Sequence, residues 1–372
     1  MFKPIAYKND KTIEEYIKLR TFDSINDINK LKKYILLING NYNKTCLMYL
    51  CQFYSGINES IITSLKDEIG KKDPVLKQTA LMCLCKGNKH INVRLINLLK
   101  SEIKSQDFID YTALMWLCVG FGAIPTPQLI SALKDEIGMK SITDETALMV
   151  LSRYNKNISL PLINSLSAEL GMRDIYKRTA LISLCKNNKK IDSEIISGYH
   201  DEIGNCDETN YTALMHYCEN CRNTDINVIR ELKNEIGFNS NPNSTALMLL
   251  IEHSLNLTPD MINEFKKEFG IRKNGNLAIK MLLSYCLNIS PELIKSLNSE
   301  FEYLVEDDYK EINTICLFNT KITIDCMREL IGVLNKNMIN PIDRRRQLNG
   351  IAKLQDPDFD LLKDKMDFYD NL

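Results

Sequence analysis

The chain has 372 residues, 44% of them hydrophobic and 26% charged, a composition that excludes a mostly disordered protein. Its formal net charge is only -1, which excludes a general electrostatic attraction to nucleic acid or to an acidic membrane surface. The N-terminus lacks the apolar core of a secretory signal, and no segment approaches the roughly 20 apolar residues that span a bilayer, so we expect a cytoplasmic protein with reduced cysteines.

The first 44 residues lack the motif that recurs along the rest of the chain. Within them, residues 12–38 are typical of an irregular opening helix pair. A helical solenoid needs a polar outer surface at each of its ends. We therefore interpret residues 1–44 as N-terminal capping helices.

A short motif recurs from Thr45 onward, and successive copies begin 33 or 34 residues apart. A second motif alternates with it and closes most copies with a glycine, as in LKDEIG ending at Gly70 and at Gly138, although Lys104 replaces this glycine once. The copies of the first motif are Thr45 (TCLMYLC), Thr79 (TALMCLC), Thr112 (TALMWLC), Thr146 (TALMVLS), Thr179 (TALISLC), Thr212 (TALMHYC) and Thr245 (TALMLLI).

Each motif predicts a short helix. Threonine is a good N-cap, and the dense apolar residues after it indicate an inner helix covered on both sides. The second helix begins with a Ser/Thr cap followed by proline, as at Thr258 and Pro259, and its closing glycine suits a left-handed C-cap. About seven residues remain before the next threonine, enough for a turn or hairpin loop.

This order of helix, turn, helix, glycine and loop resembles the ankyrin repeat family, and the TALM wording is most similar to the divergent ankyrin proteins of diplomonad protists. The resemblance implies an all-α ankyrin-like helical solenoid, with seven repeats over residues 45–270, degenerate repeats over 271–338 and a C-terminal cap or tail at 339–372. The family's glycine two residues before the threonine is missing, which leaves the loop geometry open. A tetratricopeptide-type solenoid is less favoured because its longer helices leave no room for the loop.

Five cysteines share one position, six residues after the motif threonine, where ankyrin repeats generally carry a small buried alanine. We predict that they fill the core as small apolar residues. In the stretch YTALMHYCENC, His216 and Cys218 are two residues apart on a helix and cannot point at one ion, so we expect no metal and no cofactor. A metal or redox protein that uses these thiols is the open alternative. The five are Cys51, Cys85, Cys118, Cys185 and Cys218.

Paired acids recur in the second motif, at Asp67-Glu68, Asp135-Glu136 and Asp201-Glu202. We interpret them as a solvated helix face rather than as acid/base residues. The four histidines fall at four different repeat positions, and no phosphate-binding glycine loop or kinase motif is present. We therefore expect no enzymatic activity and no small-molecule substrate.

Positions that vary between copies are where a partner could be specified. The resemblance implies a concave binding face built from the loop tips and the exposed side of the first helices, and aromatic residues and arginine are enriched at binding hot spots. Phe108, Ile142 and Trp116 could instead pack between adjacent repeats. The candidate partner-binding residues are Tyr49, Phe108, Tyr111, Trp116, Tyr154, Tyr176, Arg178, Tyr211 and His216.

The sequence therefore predicts a non-catalytic scaffold or adaptor that binds another protein, with no nucleic-acid or membrane partner. The alternative is an adaptor whose C-terminal segment recruits enzymatic machinery such as a ubiquitin ligase, although residues 339–372 contain no recognisable recruitment motif.

Overall fold

The computed structural model describes residues 10–22, 24–39, 44–240, 244–286, 288–319 and 321–333. These residues are all-helical and contain no strand, apart from two isolated bridges at Cys206–Thr212 and Lys273–Asn276. Among them, no helix has the length and apolar character needed to cross a membrane. The predicted C-terminal cap or tail at 339–372 lies outside the described residues.

Each copy of the repeat contributes two α-helices, and the second is followed by a short 3-10 helix. The α-helices are α1 (Asp10–Lys18), α2 (Ile25–Asn39), α3 (Cys46–Phe53), α4 (Glu59–Ser64), α5 (Ala80–Gly87), α6 (Val93–Leu98), α7 (Ala113–Val119), α8 (Pro127–Ala132), α9 (Ala147–Tyr154), α10 (Leu160–Ser165), α11 (Ala180–Asn187), α12 (Ser193–Ile196), α13 (Ala213–Asn220), α14 (Ile226–Glu231), α15 (Ala246–His253), α16 (Pro259–Glu264), α17 (Ala278–Tyr285), α18 (Pro291–Ser296), α19 (Glu306–Phe318) and α20 (Ile324–Val333). The 3-10 helices are Lys66–Glu68, Lys100–Glu102, Lys134–Glu136, Ser167–Glu169, Ser197–Glu202, Lys233–Glu235, Lys266–Glu268 and Asn298–Tyr303.

The motif threonine caps the first helix of the pair in six of the seven copies, as predicted, whereas the Thr146 hydroxyl makes no capping hydrogen bond. In α5 the Thr79 hydroxyl accepts a hydrogen bond from the backbone N–H of Met82 at 3.4 Å, and Thr112 does the same for Met115 in α7 at 3.3 Å. The residues that follow are buried over the whole circumference, as Ala80 to Cys85 are in α5. The first helices are therefore inner helices.

The closing glycine takes the predicted left-handed conformation, but it is not the C-cap of the second helix: α8 ends at Ala132, a 3-10 helix follows, and Gly138 comes after the extended Ile137 that ends that 3-10 helix. Gly138 has a φ of +84°, and Lys104 takes the same role with a φ of +71°. The loops that follow have a second left-handed residue, two positions before the threonine. None of these residues is glycine, so each takes a left-handed backbone conformation that only glycine adopts without a steric cost. These residues are Lys77, Asp110, Asp144, Lys177 and Asn210.

The described chain divides into two compact units, residues 1–187 with 198–202, and residues 188–197 with 203–372. In the first unit the inner helices pack in chain order from α3 to α11, and the outer helices pack from α4 to α10. In the second unit the inner helices pack from α13 to α19 and the outer helices from α12 to α20. Each unit is thus a row of helix pairs in which successive helices contact their neighbours.

The repeated cysteines lie in the core, as their register predicts. Cys51, Cys85, Cys118, Cys185 and Cys218 are all buried. The fourth copy carries Ser152 at this position, and its hydroxyl lies 2.7 Å from the hydroxyl of Tyr199, which is also buried. The polar residue at this core position thus has a buried hydrogen-bond partner.

The paired acids are split by the structure, and the prediction of a solvated face is wrong for the glutamates. Both acids of each pair lie in the same 3-10 helix, but the first is exposed to solvent, whereas the second is buried and its carboxylate accepts hydrogen bonds from backbone N–H groups. Asp67, Asp135 and Asp201 are exposed, whereas Glu68, Glu136 and Glu202 are buried.

In the copies after the first, this buried glutamate joins two neighbouring copies of the repeat, whereas Glu68 of the first copy accepts from Leu47 N and pairs with Lys32. Glu136 accepts a hydrogen bond from Leu114 N at 2.7 Å, at the start of α7 in its own copy, and a second from Lys104 N at 2.9 Å, in the turn that closes the preceding copy. Both donors are backbone groups that helix ends leave without a partner. The same pair of bonds recurs at Glu102, Glu169, Glu202, Glu235 and Glu268.

Candidate functional site

The loop before each motif threonine is organised around one buried polar residue. In the third copy this residue is Asp107, whose Oδ1 accepts hydrogen bonds from Ile109 N at 3.0 Å and Tyr111 N at 2.9 Å. Its Oδ2 accepts from the indole Nε1 of Trp116 at 3.0 Å. Burial outweighs these hydrogen bonds and raises the pKa of Asp107. The loop is therefore held from inside by a carboxylate.

In other copies the aspartate at this repeat position pairs with a different side chain. Asp174 pairs with Arg178, whose Nη2 lies 2.6 Å from Oδ2. Asp207 lies 3.0 Å from His216 Nε2. Burial alone would raise the pKa of Asp207, but the hydrogen bonds from His216 and Thr209 lower it well below its usual range. Residues that differ between copies thus share one structural task, which is to complete the loop.

The nine candidate partner-binding residues do not form one exposed set. Tyr49, Tyr111, Trp116 and His216 are buried, and Arg178 and Tyr211 are half-buried. Tyr176, Tyr154 and Phe108 are exposed. Variation between copies marked all nine in the sequence, but variation arises equally where a side chain must fit a particular loop. Only these three of the nine candidates therefore present side chains that are exposed to solvent.

A Trp116→Phe substitution is expected to destabilise the chain by about 2 kcal/mol, because it leaves Oδ2 of Asp107 buried without its donor. The shift of the urea unfolding midpoint measures this effect. The matched control is Tyr154→Phe, which changes an exposed side chain on a neighbouring inner helix and should alter the free energy of unfolding by less than about 0.5 kcal/mol. Equal effects of the two substitutions would contradict the structural role of Trp116.

The loop tips of the first unit carry a row of half-exposed apolar side chains. Val75, Phe108, Ile142 and Ile175 each stand four residues before a motif threonine, and 50%, 51%, 58% and 51% of their surfaces are exposed. Of these four residues, Phe108 was among the candidates predicted from the sequence and Val75 was not, although both occupy the same repeat position.

Backbone hydrogen bonds tie each of these loops to the next. Phe108 N donates to Leu76 O at 3.0 Å, Ile142 N to Ile109 O at 3.1 Å, and Ile175 N to Thr143 O at 3.1 Å. The tips are consequently adjacent and fixed in register with one another. The alternative in which Phe108 and Ile142 are fully packed between repeats does not hold, since about half of each side chain reaches solvent.

A polar and aromatic cluster in the first unit joins the last residues of two loops, Tyr111 and Glu145, to the end of inner helix α9. The hydroxyl of Tyr111 donates to Glu145 Oε2 at 3.1 Å, and Glu145 pairs with Arg153 Nη1 at 2.5 Å. The guanidinium of Arg153 lies 5.1 Å from the ring centroid of Tyr154. Burial, and then the charge of Glu145, raises the pKa of Tyr111 far above its usual value. Exposed Tyr154 is thus backed by a preformed ion pair.

The histidine and the cysteines do not converge. His216 is held by Asp207, while Cys218 is buried in the core and burial raises its pKa well above the ordinary thiol value. Among the residues that the structure describes, no three His, Cys, Asp or Glu side chains are grouped so that they could hold a metal ion. A thiol with a raised pKa is a poor nucleophile and a poor metal ligand.

No protein-family model matches the chain, and no curated protein sequence matches it. Among solved structures, a similar chain comes from the structure described as the Bd0816 predatory endopeptidase from Bdellovibrio bacteriovorus in complex with immunity protein Bd3460. It is 17% identical, with a TM-score of 0.36 over 49% of this chain and 93% of that chain. A likeness this distant carries no conclusion about function.

Proposed function

We propose that the chain is a cytoplasmic, non-catalytic, ankyrin-like repeat protein that binds a partner protein through its loop tips and the exposed side of its inner helices. Support for the ankyrin-like assignment comes from the left-handed residue two positions before each of five motif threonines. Ankyrin repeats usually carry glycine there, and the loops of this chain adopt the conformation that such a glycine serves.

The observation that carries the binding role is the contrast between repeated and exposed residues. The threonine caps and glutamate bridges recur from copy to copy with nearly the same contacts, so they are explained by folding. Phe108, Tyr154 and Tyr176 make exposed apolar and aromatic surface that folding does not explain. Exposed aromatic residues on a rigid framework are typical of interaction surfaces.

Preformed loops favour binding because little conformational entropy is lost when a partner docks. The buried carboxylates of Asp107 and Asp174 hold two of the loops from inside, and lateral backbone bonds hold loop against loop. A surface that is already ordered retains more of its contact energy as affinity.

Replacing Phe108, Tyr154 and Tyr176 together by serine is expected to release the partner from the full-length chain. Affinity purification from the native cell, with quantitative mass spectrometry, measures the loss, which should be about tenfold or more for a direct partner.

The matched control is Val93→Ser, because Val93 is an exposed apolar residue at the start of outer helix α6, away from the loop tips. Its partner list should equal that of the wild type. An unchanged list for the triple variant, with unchanged helicity by circular dichroism, would refute the proposed surface.

A further inference from the structure

The loop tips of the first unit combine apolar side chains with an excess of exposed positive charge. The four loops concerned span residues 71–78, 104–111, 138–145 and 171–178. We define the basic loop edge as the apolar row of Val75, Phe108, Ile142 and Ile175 together with the cations beside it. The exposed cations of the first, second and last loops are Lys71, Lys72, Lys77, Lys104, Arg173 and Lys177.

The acids of the same loops do not balance this charge at the surface. The Asp73, Asp107 and Asp174 carboxylates are buried and accept hydrogen bonds within their own loops. Asp110 is only partly exposed, and Asp144 lies 3.9 Å from Lys140, the remaining cation of the edge. Cations therefore dominate the accessible surface, although the chain as a whole is nearly neutral.

The edge is a property of the first unit and not of the repeat in general. The loop at residues 204–211 has Glu208 at the position of the apolar row, and it contains no lysine or arginine. Its loop-organising aspartate, Asp207, is retained. The framework thus permits other side chains at the tip, and the apolar and basic character of the first unit is not needed to fold the loop.

We propose that the basic loop edge binds an acidic protein segment that carries apolar side chains. Carboxylates of the segment complement the lysines and arginine, and its apolar side chains cover the half-exposed row, whose contiguity is typical of interaction surfaces. The proposal rests on the proposed function and names the chemistry of the partner at that surface.

A protein segment suits the edge better than an anionic lipid surface. About half of each apolar side chain is already covered by the loops, which leaves a shallow row along which a chain can lie. Insertion into a membrane interface requires apolar groups to reach about 5–10 Å beyond the headgroup boundary.

The test is selection of 16-residue peptides from a random displayed library on the immobilised full-length chain. The selected peptides should be enriched in aspartate, glutamate and apolar residues. Their affinity should fall about tenfold on a Val75→Ser/Ile142→Ser/Ile175→Ser variant and on a Lys71→Glu/Arg173→Glu variant. Unfolding midpoints equal to that of the wild type establish that both variants are folded.

Four results would overturn the proposal. Peptides without acidic enrichment, or peptides that bind both variants as tightly as the wild type, exclude this chemistry at this edge. Sedimentation with phosphatidylserine vesicles that depends on the same apolar row assigns the edge to lipid instead. If the peptides are insensitive to both variants but lose binding on Tyr154→Ser, the proposed function stands and only this inference fails, whereas a library with no enriched peptide counts against both.

Discussion

Replacing Glu136 by alanine is expected to destabilise the chain by about 3 kcal/mol, since a buried donor without a partner costs about 1–3 kcal/mol and this substitution leaves one buried donor and one part-buried donor. The donors are Leu114 N and Lys104 N, which bond to the two carboxylate oxygens at 2.7 and 2.9 Å. The lost side chain also leaves a cavity between two copies of the repeat, which adds to the cost.

Asp135 supplies the matched control, because it is the adjacent acid and is exposed. An Asp135→Ala substitution removes the same charge one residue away and should change the free energy of unfolding by less than about 0.5 kcal/mol. Urea unfolding followed by circular dichroism distinguishes the two variants. Similar midpoints for Glu136→Ala and Asp135→Ala would show that the glutamate bridge contributes nothing beyond surface charge.

Neighbouring copies are joined by these glutamates through the backbone at both ends. One oxygen accepts from the N-terminus of an inner helix, where the helix dipole favours negative charge, and the other accepts from the turn that closes the previous copy. Burial still raises the pKa of Glu169, so its hydrogen bonds do not fully offset the loss of hydration. The bridge therefore fixes the register of neighbouring copies at a cost in the hydration of its carboxylate.

The sequence contained a signal for these bridges that a residue-by-residue interpretation of charge overlooks. Within the second motif the glutamate recurs in every copy, whereas the residue before it is Asp135 in one copy, Ala168 in another and Lys267 in a third. A solvated face tolerates such changes, but a buried bridge does not. Because the glutamate is constant while the residue before it varies, the pattern indicates a structural role for the glutamate. Its charge, taken alone, suggests an exposed residue.

Local features were predictable because their causes are local. A threonine caps the helix that follows it, and the glycine at Gly138 ends the turn before it, so both can be inferred from a few residues. The role of Trp116 could not be inferred in this way. Its partner, Asp107, lies nine residues earlier, and only the folded loop brings the two together.

The eighth copy offers a case in which the bridge is incomplete. Leu277 stands where other copies have threonine, and Glu300 is fully buried. Its Oε1 accepts from Gly270 N at 2.8 Å, but no hydrogen bond of normal geometry reaches Oε2, and the nearby backbone N–H groups of Ala278 and Ile279 lower the pKa by less than burial raises it. Burial raises the pKa of Glu300 from 4.5 to about 7.

Glu300→Gln is expected to remove a pH dependence of stability. The folded chain holds the proton of Glu300 up to about pH 7, whereas the unfolded chain releases it near pH 4.5, so the folded state binds the additional proton between these values. This contribution to stability is complete below pH 4.5 and is lost as the pH rises through 7. Between pH 5 and pH 8 the loss is about 2.5 kcal/mol, at about 1.4 kcal/mol per pKa unit.

The measurement is the difference in unfolding free energy between wild type and Glu300→Gln at both pH values, because the other buried glutamates titrate equally in the two proteins and cancel. From pH 5 to pH 8, the unfolding free energy of the variant should rise by about 2.5 kcal/mol relative to that of the wild type.

Glu268→Gln is the control. Both oxygens of Glu268 accept backbone N–H groups, at 2.7 and 3.0 Å, so its amide places a donor against a donor and should cost about 2 kcal/mol at pH 8. At pH 8, Glu300→Gln should therefore raise the free energy of unfolding and Glu268→Gln should lower it, which would identify Oε2 of Glu300 as the unsatisfied atom. If the difference between wild type and Glu300→Gln does not change with pH, this assignment is wrong.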